Sequence, residues 1–311
     1  MKKNFFAIGF VVIVYLCSCS NSETAQSQNL ARKEPEVKSI FINGDSLHYV
    51  DIGKGEPVVF VHGAVGDYRT FGAQMDAFAK RHRVIAYSRR FAFPNQQTIT
   101  DSTRLSVVSN ASDLTEFIKA LKLKPVTLYG HSYGADIALV TTIGHPELVR
   151  RLVLGEPFVP SMMQQVPGGD TILNNFFTTA FGPVMEAFKN NDNEGGVEAL
   201  INGVMGDSTY FDRMPQKDRE IMLANYPEAK GILSGKDNFP SVVCEDLKKI
   251  KAPVLLVRGE KSPAIFAIMI EGMKRCLSNR EVATLANTTH GLEYESPAEF
   301  NNAVLSFISK H

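Results

Sequence analysis

The run Pro125-Val126-Thr127-Leu128-Tyr129-Gly130-His131-Ser132-Tyr133-Gly134-Ala135-Asp136-Ile137-Ala138-Leu139 decides the fold. A short apolar run with β-branched residues reads as a buried parallel strand, and the small and aliphatic residues after Gly134 read as a helix. Between them lies a tight G-x-S-x-G turn with Ser132 at its apex. A serine there is held in a strained backbone, and side chains two positions either side collide where strand and helix meet. Glycine at 130 and 134 removes the collision.

Outward from this turn the pattern is strand, helix, strand. Val37 to Ile42 and Leu47 to Ile52, separated by Asn43-Gly44-Asp45-Ser46, read as an antiparallel hairpin opening a sheet. Val58 to Val61 is a continuous apolar run ending in His62-Gly63-Ala64-Val65-Gly66-Asp67, a central strand followed by a loop at its carboxyl end. Ligands of open parallel sheets gather at such ends. Helical spacing from about Phe71 to Lys80, a strand Arg83 to Tyr87 and a helix from about Leu105 to Leu121 lead to the serine turn.

Beyond it, Val149 to Leu154 is a strand ending in Gly155-Glu156-Pro157. From 158 to about 237 the strand rhythm stops. Helix-like stretches at Ile172 to Lys189 and Val197 to Met205, with Gly168-Gly169-Asp170 as a loop and many Phe and Met, predict a helical cap over the sheet. Strands return at Pro253 to Gly259 and near Val282 to Leu285, with helices at about Ala264 to Cys276 and Pro297 to Ser309. Alternation of this kind predicts an α/β domain over 37–311.

The 311 residues carry 33 Lys plus Arg and 33 Asp plus Glu, so no whole-protein field favours nucleic acid or an acidic partner. At the start, Met1-Lys2-Lys3 and an apolar run from Phe5 to Leu16 have the form of an export signal over 1–18. Leu16-Cys17-Ser18-Cys19 resembles the lipobox of bacterial lipoproteins, which implies acylation at Cys19, a polar tether over 19–36 and an exported chain held at a cell-envelope membrane. Cys244 and Cys276 then remain as the only thiols; an even pair outside the cytoplasm invites a disulfide, and two buried free thiols are the alternative. No C-x-x-C or His-rich spacing supports a metal.

The order Val61-His62-Gly63, Gly130-His131-Ser132-Tyr133-Gly134, Pro253 to Gly259, then His290 resembles the α/β-hydrolase superfamily over nearly all of the chain after 37. The resemblance implies an eight-stranded, mostly parallel sheet with a cap, and a nucleophile, acid and histidine triad without cofactor. The chemistry asks for the same parts. A serine hydroxyl needs a base during attack, and His290, in the polar loop Asn287-Thr288-Thr289-His290-Gly291, is the candidate. Charge developing on a carbonyl oxygen needs fixed donors, expected to be the backbone N–H groups of Ala64 and Tyr133.

The acid departs from the common pattern. Most members place an aspartate three residues past the glycine that ends the seventh strand, where this chain has Ser262. Two carboxylates compete for the role: Glu156, at the end of the preceding strand as in some branches of the superfamily, and Glu260; the reading favours Glu156. Ser132 disfavours relatives with an aspartate nucleophile. Arg89-Arg90 replace residues commonly acidic and glycine in that loop; a substrate carboxylate or a structural ion pair would occupy them. The expected activity is hydrolysis of a small-molecule ester or lactone through an acyl-enzyme. Other acyl transfer or carbon–carbon bond hydrolysis on the same triad, and a ligand-binding lipoprotein without catalysis, compete with it.

Overall fold

The computed structural model describes Met1 and residues 35–311 apart from 96, 100, 101, 236 and 237. The export signal, Cys19 and most of the tether lie outside the described residues. From 35 onward the chain forms one unit.

Eight strands make one sheet in the order β1-β2-β4-β3-β5-β6-β7-β8. They are β1 Val37–Ile42, β2 Asp45–Gly53, β3 Pro57–Val61, β4 Arg83–Tyr87, β5 Val126–His131, β6 Val149–Gly155, β7 Val254–Gly259 and β8 Arg280–Leu285. The first two pair antiparallel, and β2 lies antiparallel to β4. All later pairings are parallel. Burial explains why the central strands read as unbroken apolar runs: every residue of β3 and β5 is buried, whereas β1 and β8 alternate. The hairpin turn is shorter than its polar residues suggested. Asn43 and Gly44 both take positive φ, so Ile42 pairs directly with Asp45 in the tight turn that matches strand twist.

Helices α1 Gly72–Ala79, α2 Val107–Ala120 and α3 Tyr133–Gly144 follow strands β3, β4 and β5. The expected helix from Leu105 instead starts at Val107, capped by the Ser106 side chain, with a separate 3-10 turn over Ser102–Leu105. After β6 come α4 Gly169–Phe176, α5 Gly182–Lys189, α6 Asn193–Met205, α7 Tyr210–Arg213, α8 Gln216–Ala224 and α9 Tyr226–Ser234. The loop expected at Gly168-Gly169-Asp170 is a helix start, with Gly168 left-handed just before α4. A π turn over Phe177–Phe181 joins α4 to α5. The last helices are α10 Cys244–Leu247, α11 Ala264–Cys276, α12 Leu292–Glu295 and α13 Pro297–Lys310.

Three apolar cores result. One joins α2 and α3 to one sheet face, through residues such as Leu114, Phe117, Leu128 and Ile137. A second, with Phe60, Phe78, Tyr129 and Phe300, fills the other face under α1 and α13. The third is the cap's own: Phe181, Val197, Leu200 and Phe211 meet Val65, Phe158 and Phe266 from the sheet side. Cys244 and Cys276 are joined in a disulfide that fastens α10 to the end of α11.

Candidate active site

Ser132 stands between β5 and α3 with φ 52 and ψ −121, outside the ordinary regions for a side-chain-bearing residue. Its N–H donates to Gly155 O at 2.8 Å, so the ladder to β6 continues into the turn and holds the strain. The flanking glycines are sterically required. A Cβ on Gly130 would stand 2.3 Å from Gly134 O, and one on Gly134 would stand 2.4 Å from the carbonyl oxygens of both Val61 and His62.

Glu156 is placed by the same device one strand further on. It has φ 40 at the end of β6, and its N–H donates to Val257 O at 2.9 Å. Fully buried, it accepts the Gly259 N–H on Oε1 at 2.7 Å and lies 2.6 Å from His290 Nδ1 through Oε2. Carboxylate oxygens accept, so the imidazole proton sits on Nδ1 and Nε2 is left for proton exchange. Glu260 does not join them: it is exposed and accepts the Asn287 N–H at 2.9 Å, capping the histidine loop from outside. Ser262 Oγ is buried beside Glu156, whose charged form it favours, without ordinary hydrogen-bond geometry.

Electrostatics follow from burial. Desolvation holds the His290 imidazole below its ordinary pKa, against the pull of Glu293 and Glu295, so the ring is a free base at neutral pH. Desolvation also lifts the Glu156 carboxyl above the usual carboxylate range, opposed by the Ser262 hydroxyl and the Gly259 N–H. Phe266 stacks on His290 with ring centroids 4.0 Å apart, excluding water from one face.

Behind this pair lies a layer that the residues alone did not announce. His131, taken as part of the turn motif only, donates from Nε2 to His290 O at 2.9 Å. Glu293, three positions after His290, lies 3.6 Å from His131 Nδ1 and accepts the Tyr129 hydroxyl. Thr289 donates its N–H and hydroxyl to Glu295 at 2.6 Å each, and Tyr210 of α7 donates to the same carboxylate at 2.5 Å. The histidine loop is thus fixed from the sheet and from the cap. The carboxylates after His290 were the only sequence signal for this layer.

Ser132, His290, Ala64 and Tyr133 line one cavity of about 100 Å³. Its roof comes from the cap, including Leu200, Met205 and Ile221, and among the described residues no Asp, Glu, Lys or Arg lines it. Tyr133 is the first residue of α3, so its N–H has no helical carbonyl to meet. The loop carrying Ala64 is held by His62, whose Nδ1–H donates to Gly63 O at 2.9 Å while Nε2 accepts the Arg89 N–H at 3.1 Å. Burial keeps this imidazole far below its ordinary pKa, and the nearby Arg89 adds to the effect. Asp67 accepts the Asn225 side chain at 2.7 Å. Neither arginine of the Arg89-Arg90 pair is free for a substrate carboxylate: both are buried, Arg89 against Glu228 at 2.7 Å and Arg90 against Asp113 at 2.6 Å. Among the described residues, no group of three or more His, Cys, Asp and Glu is arranged to hold a metal.

The sequence profile of the alpha/beta hydrolase family matches residues 58–303. Ethanol acetyltransferase 1 of Cyberlindnera jadinii is 22% identical over 294 residues, spanning 88% of this chain and 84% of its own length. Among solved structures, Est816, an N-acyl homoserine lactone degrading enzyme, superposes with a TM-score of 0.66 at 21% identity, covering 87% of this chain and all of its own (100%). Carboxylesterase CesB from Bacillus subtilis gives a TM-score of 0.69 at 20% identity, covering 91% of this chain and 94% of its own. At such identities the structural likeness is one of fold.

Proposed function

The chain belongs to the alpha/beta hydrolase family, and on that premise we propose that it is a serine hydrolase cleaving an uncharged carboxylic ester or lactone through an acyl-enzyme. The observation that carries this reading is the buried Glu156–His290 pair at 2.6 Å, whose imidazole shares one apolar cavity with the strained Ser132. Ser132 Oγ attacks the carbonyl carbon while His290 takes its proton; Glu156 orients the ring and stabilises the imidazolium that forms. The N–H groups of Ala64 and Tyr133 hold the developing oxyanion. His290 then returns the proton to the departing alkoxide, and water attacks the acyl-enzyme by the same relay in reverse.

An ester or lactone fits because the described residues of the cavity offer no Asp, Glu, Lys or Arg side chain to a substrate and a largely apolar wall to its acyl or alcohol part. The lactone-degrading and carboxylesterase activities named for the structural neighbours lie in the same range. A fluorophosphonate probe tests the assignment: labelling of the wild type, abolished in Ser132→Ala, is the expected result, and a folded wild type that stays unlabelled removes it. A panel of short and long acyl esters and lactones then ranks substrates, and added ethanol separates hydrolysis from acyl transfer by the product formed. The N-terminal reading is part of the proposal. Export with acylation at Cys19 predicts detergent-phase partitioning of the full chain that Cys19→Ser abolishes.

A further inference from the structure

The peptide that joins Gly63 to Ala64 is trans and planar, so its carbonyl oxygen and the Ala64 N–H point in opposite directions from one rigid plate. Whatever grips Gly63 O therefore sets where the Ala64 N–H is aimed. Arg89 grips it. Nη2 donates to Gly63 O at 2.9 Å, Nη1 donates to the neighbouring His62 O, and the Arg89 main-chain N–H donates to His62 Nε2 at 3.1 Å. The other edge of the guanidinium is bidentate on Glu228 of the cap helix α9, with Nε to Oε1 at 3.0 Å and Nη2 to Oε2 at 2.7 Å. Both side chains are removed from solvent, at 0% and 1% exposure. The guanidinium carbon also stands 5.3 Å from the ring centroid of Tyr133, which carries the second oxyanion donor.

We infer that Arg89, locked by Glu228 of the cap, is a positioning residue for the oxyanion hole. The inference rests on the serine-hydrolase reading and names a further part of that same site. Two physical effects make the arrangement consequential. A planar fork can hold two adjacent carbonyls and a carboxylate at once, which an ammonium cannot. A cation bonded to the carbonyl end of a peptide also polarises it, making the opposite N–H a stronger donor to an oxyanion. Because Glu228 belongs to the cap, seating of the cap and aim of the Ala64 N–H are linked through one side chain.

The test compares wild type with Arg89→Lys, and with the double variant Arg89→Met/Glu228→Leu, which removes both buried charges together so that neither is left unpaired. Each is read by thermal unfolding, by the second-order rate of fluorophosphonate labelling at Ser132, and by kcat and KM on a p-nitrophenyl ester. The phosphonate oxygen becomes an oxyanion during labelling, so that rate reports the hole without knowledge of the natural substrate. Expected is a folded Arg89→Lys protein whose labelling rate and kcat both fall about 10- to 100-fold while KM stays within about 3-fold, a partial loss beside that of deleting a donor outright. Should Arg89→Lys not fold, the double variant takes its place with the same expectation. A folded variant that labels at the wild-type rate, or one whose loss lies wholly in KM, overturns the inference. If wild-type Ser132 itself is not labelled, the serine-hydrolase reading fails and this inference falls with it; normal wild-type labelling with unaltered variants sinks the inference alone.

Discussion

His290 Nδ1 and Glu156 Oε2 are 2.6 Å apart although 134 positions separate the residues in the chain. The contact exists because β6 and β7 are neighbours: Glu156 leaves the end of β6 and also receives the N–H of Gly259, the last residue of β7. The place three residues past that glycine holds half-buried Ser262, whose hydroxyl oxygen is buried beside the carboxylate. A longer side chain from the adjacent strand thus reaches the imidazole that a shorter one from β7 would otherwise serve.

Exchange of that carboxylate is the first prediction. Glu156→Gln keeps size but removes the acceptor that fixes the Nδ1–H tautomer, so kcat on an activated ester should drop about 10³- to 10⁴-fold with KM little changed. Glu260→Gln, which loses only an exposed cap on Asn287, should stay within about 3-fold. Steady-state kinetics of the two variants decide it, and the reverse ranking removes Glu156 from the relay.

The pH profile follows from the same pair. The proposed mechanism needs neutral His290, and burial has moved its pKa down from the ordinary 6.5. A lowered pKa means that a proton binds His290 only at more acidic pH, so His290 should set an acid limb of kcat/KM below pH 6.5. A limb near pH 7 that Glu156→Gln removes would report the carboxyl that burial lifts to about 7. An acid limb centred above pH 7 contradicts a desolvated free-base imidazole.

Steric demands at the turn give a stability prediction. Gly134→Ala would drive a methyl to 2.4 Å from two backbone oxygens, where no rotamer offers relief. Destabilisation of at least about 3 kcal/mol is expected, or failure to fold. Gly144→Ala, in the same helix with open space around its Cβ position, should be neutral or mildly stabilising. Urea unfolding of the two proteins makes the comparison.

The disulfide closes a loop between residues 32 positions apart. Chain-entropy reasoning assigns such a loop about 3–4 kcal/mol, so reduction, or Cys244→Ser with Cys276→Ser, should lower the urea midpoint without altering the kcat of protein that remains folded. Loss of activity in the folded reduced protein would instead tie the bridge to the site.

Elements with unambiguous local physics were legible residue by residue. Val37–Ile42, Arg83–Tyr87 and Ala264–Cys276 coincide with the ranges read from alternation, apolar runs and helical spacing. Disagreements arose where side-chain capping or glycine conformation overrides periodicity. Ser106 starts α2 later than its apolar stripe, and left-handed Gly168 begins a helix where two glycines had suggested a loop. The buried layer behind His290 was signalled only by the carboxylates that follow it, for another reason: His131 and Tyr129 are ordinary members of a strand until Glu293 folds back against them.

By itself the sequence determined the sheet, the strained turn at Ser132 and the histidine loop, because each depends on local rules: strand periodicity, glycine sterics and the order of elements along the chain. It left Glu156 and Glu260 both open, and it left Arg89 without a partner. Only the tertiary structure decided where those three side chains sit, because each placement depends on elements adjacent in space and remote in sequence. Glu156 meets the imidazole across the β6–β7 junction, and Arg89 meets Glu228 of the cap across 139 positions beside the loop that carries Ala64.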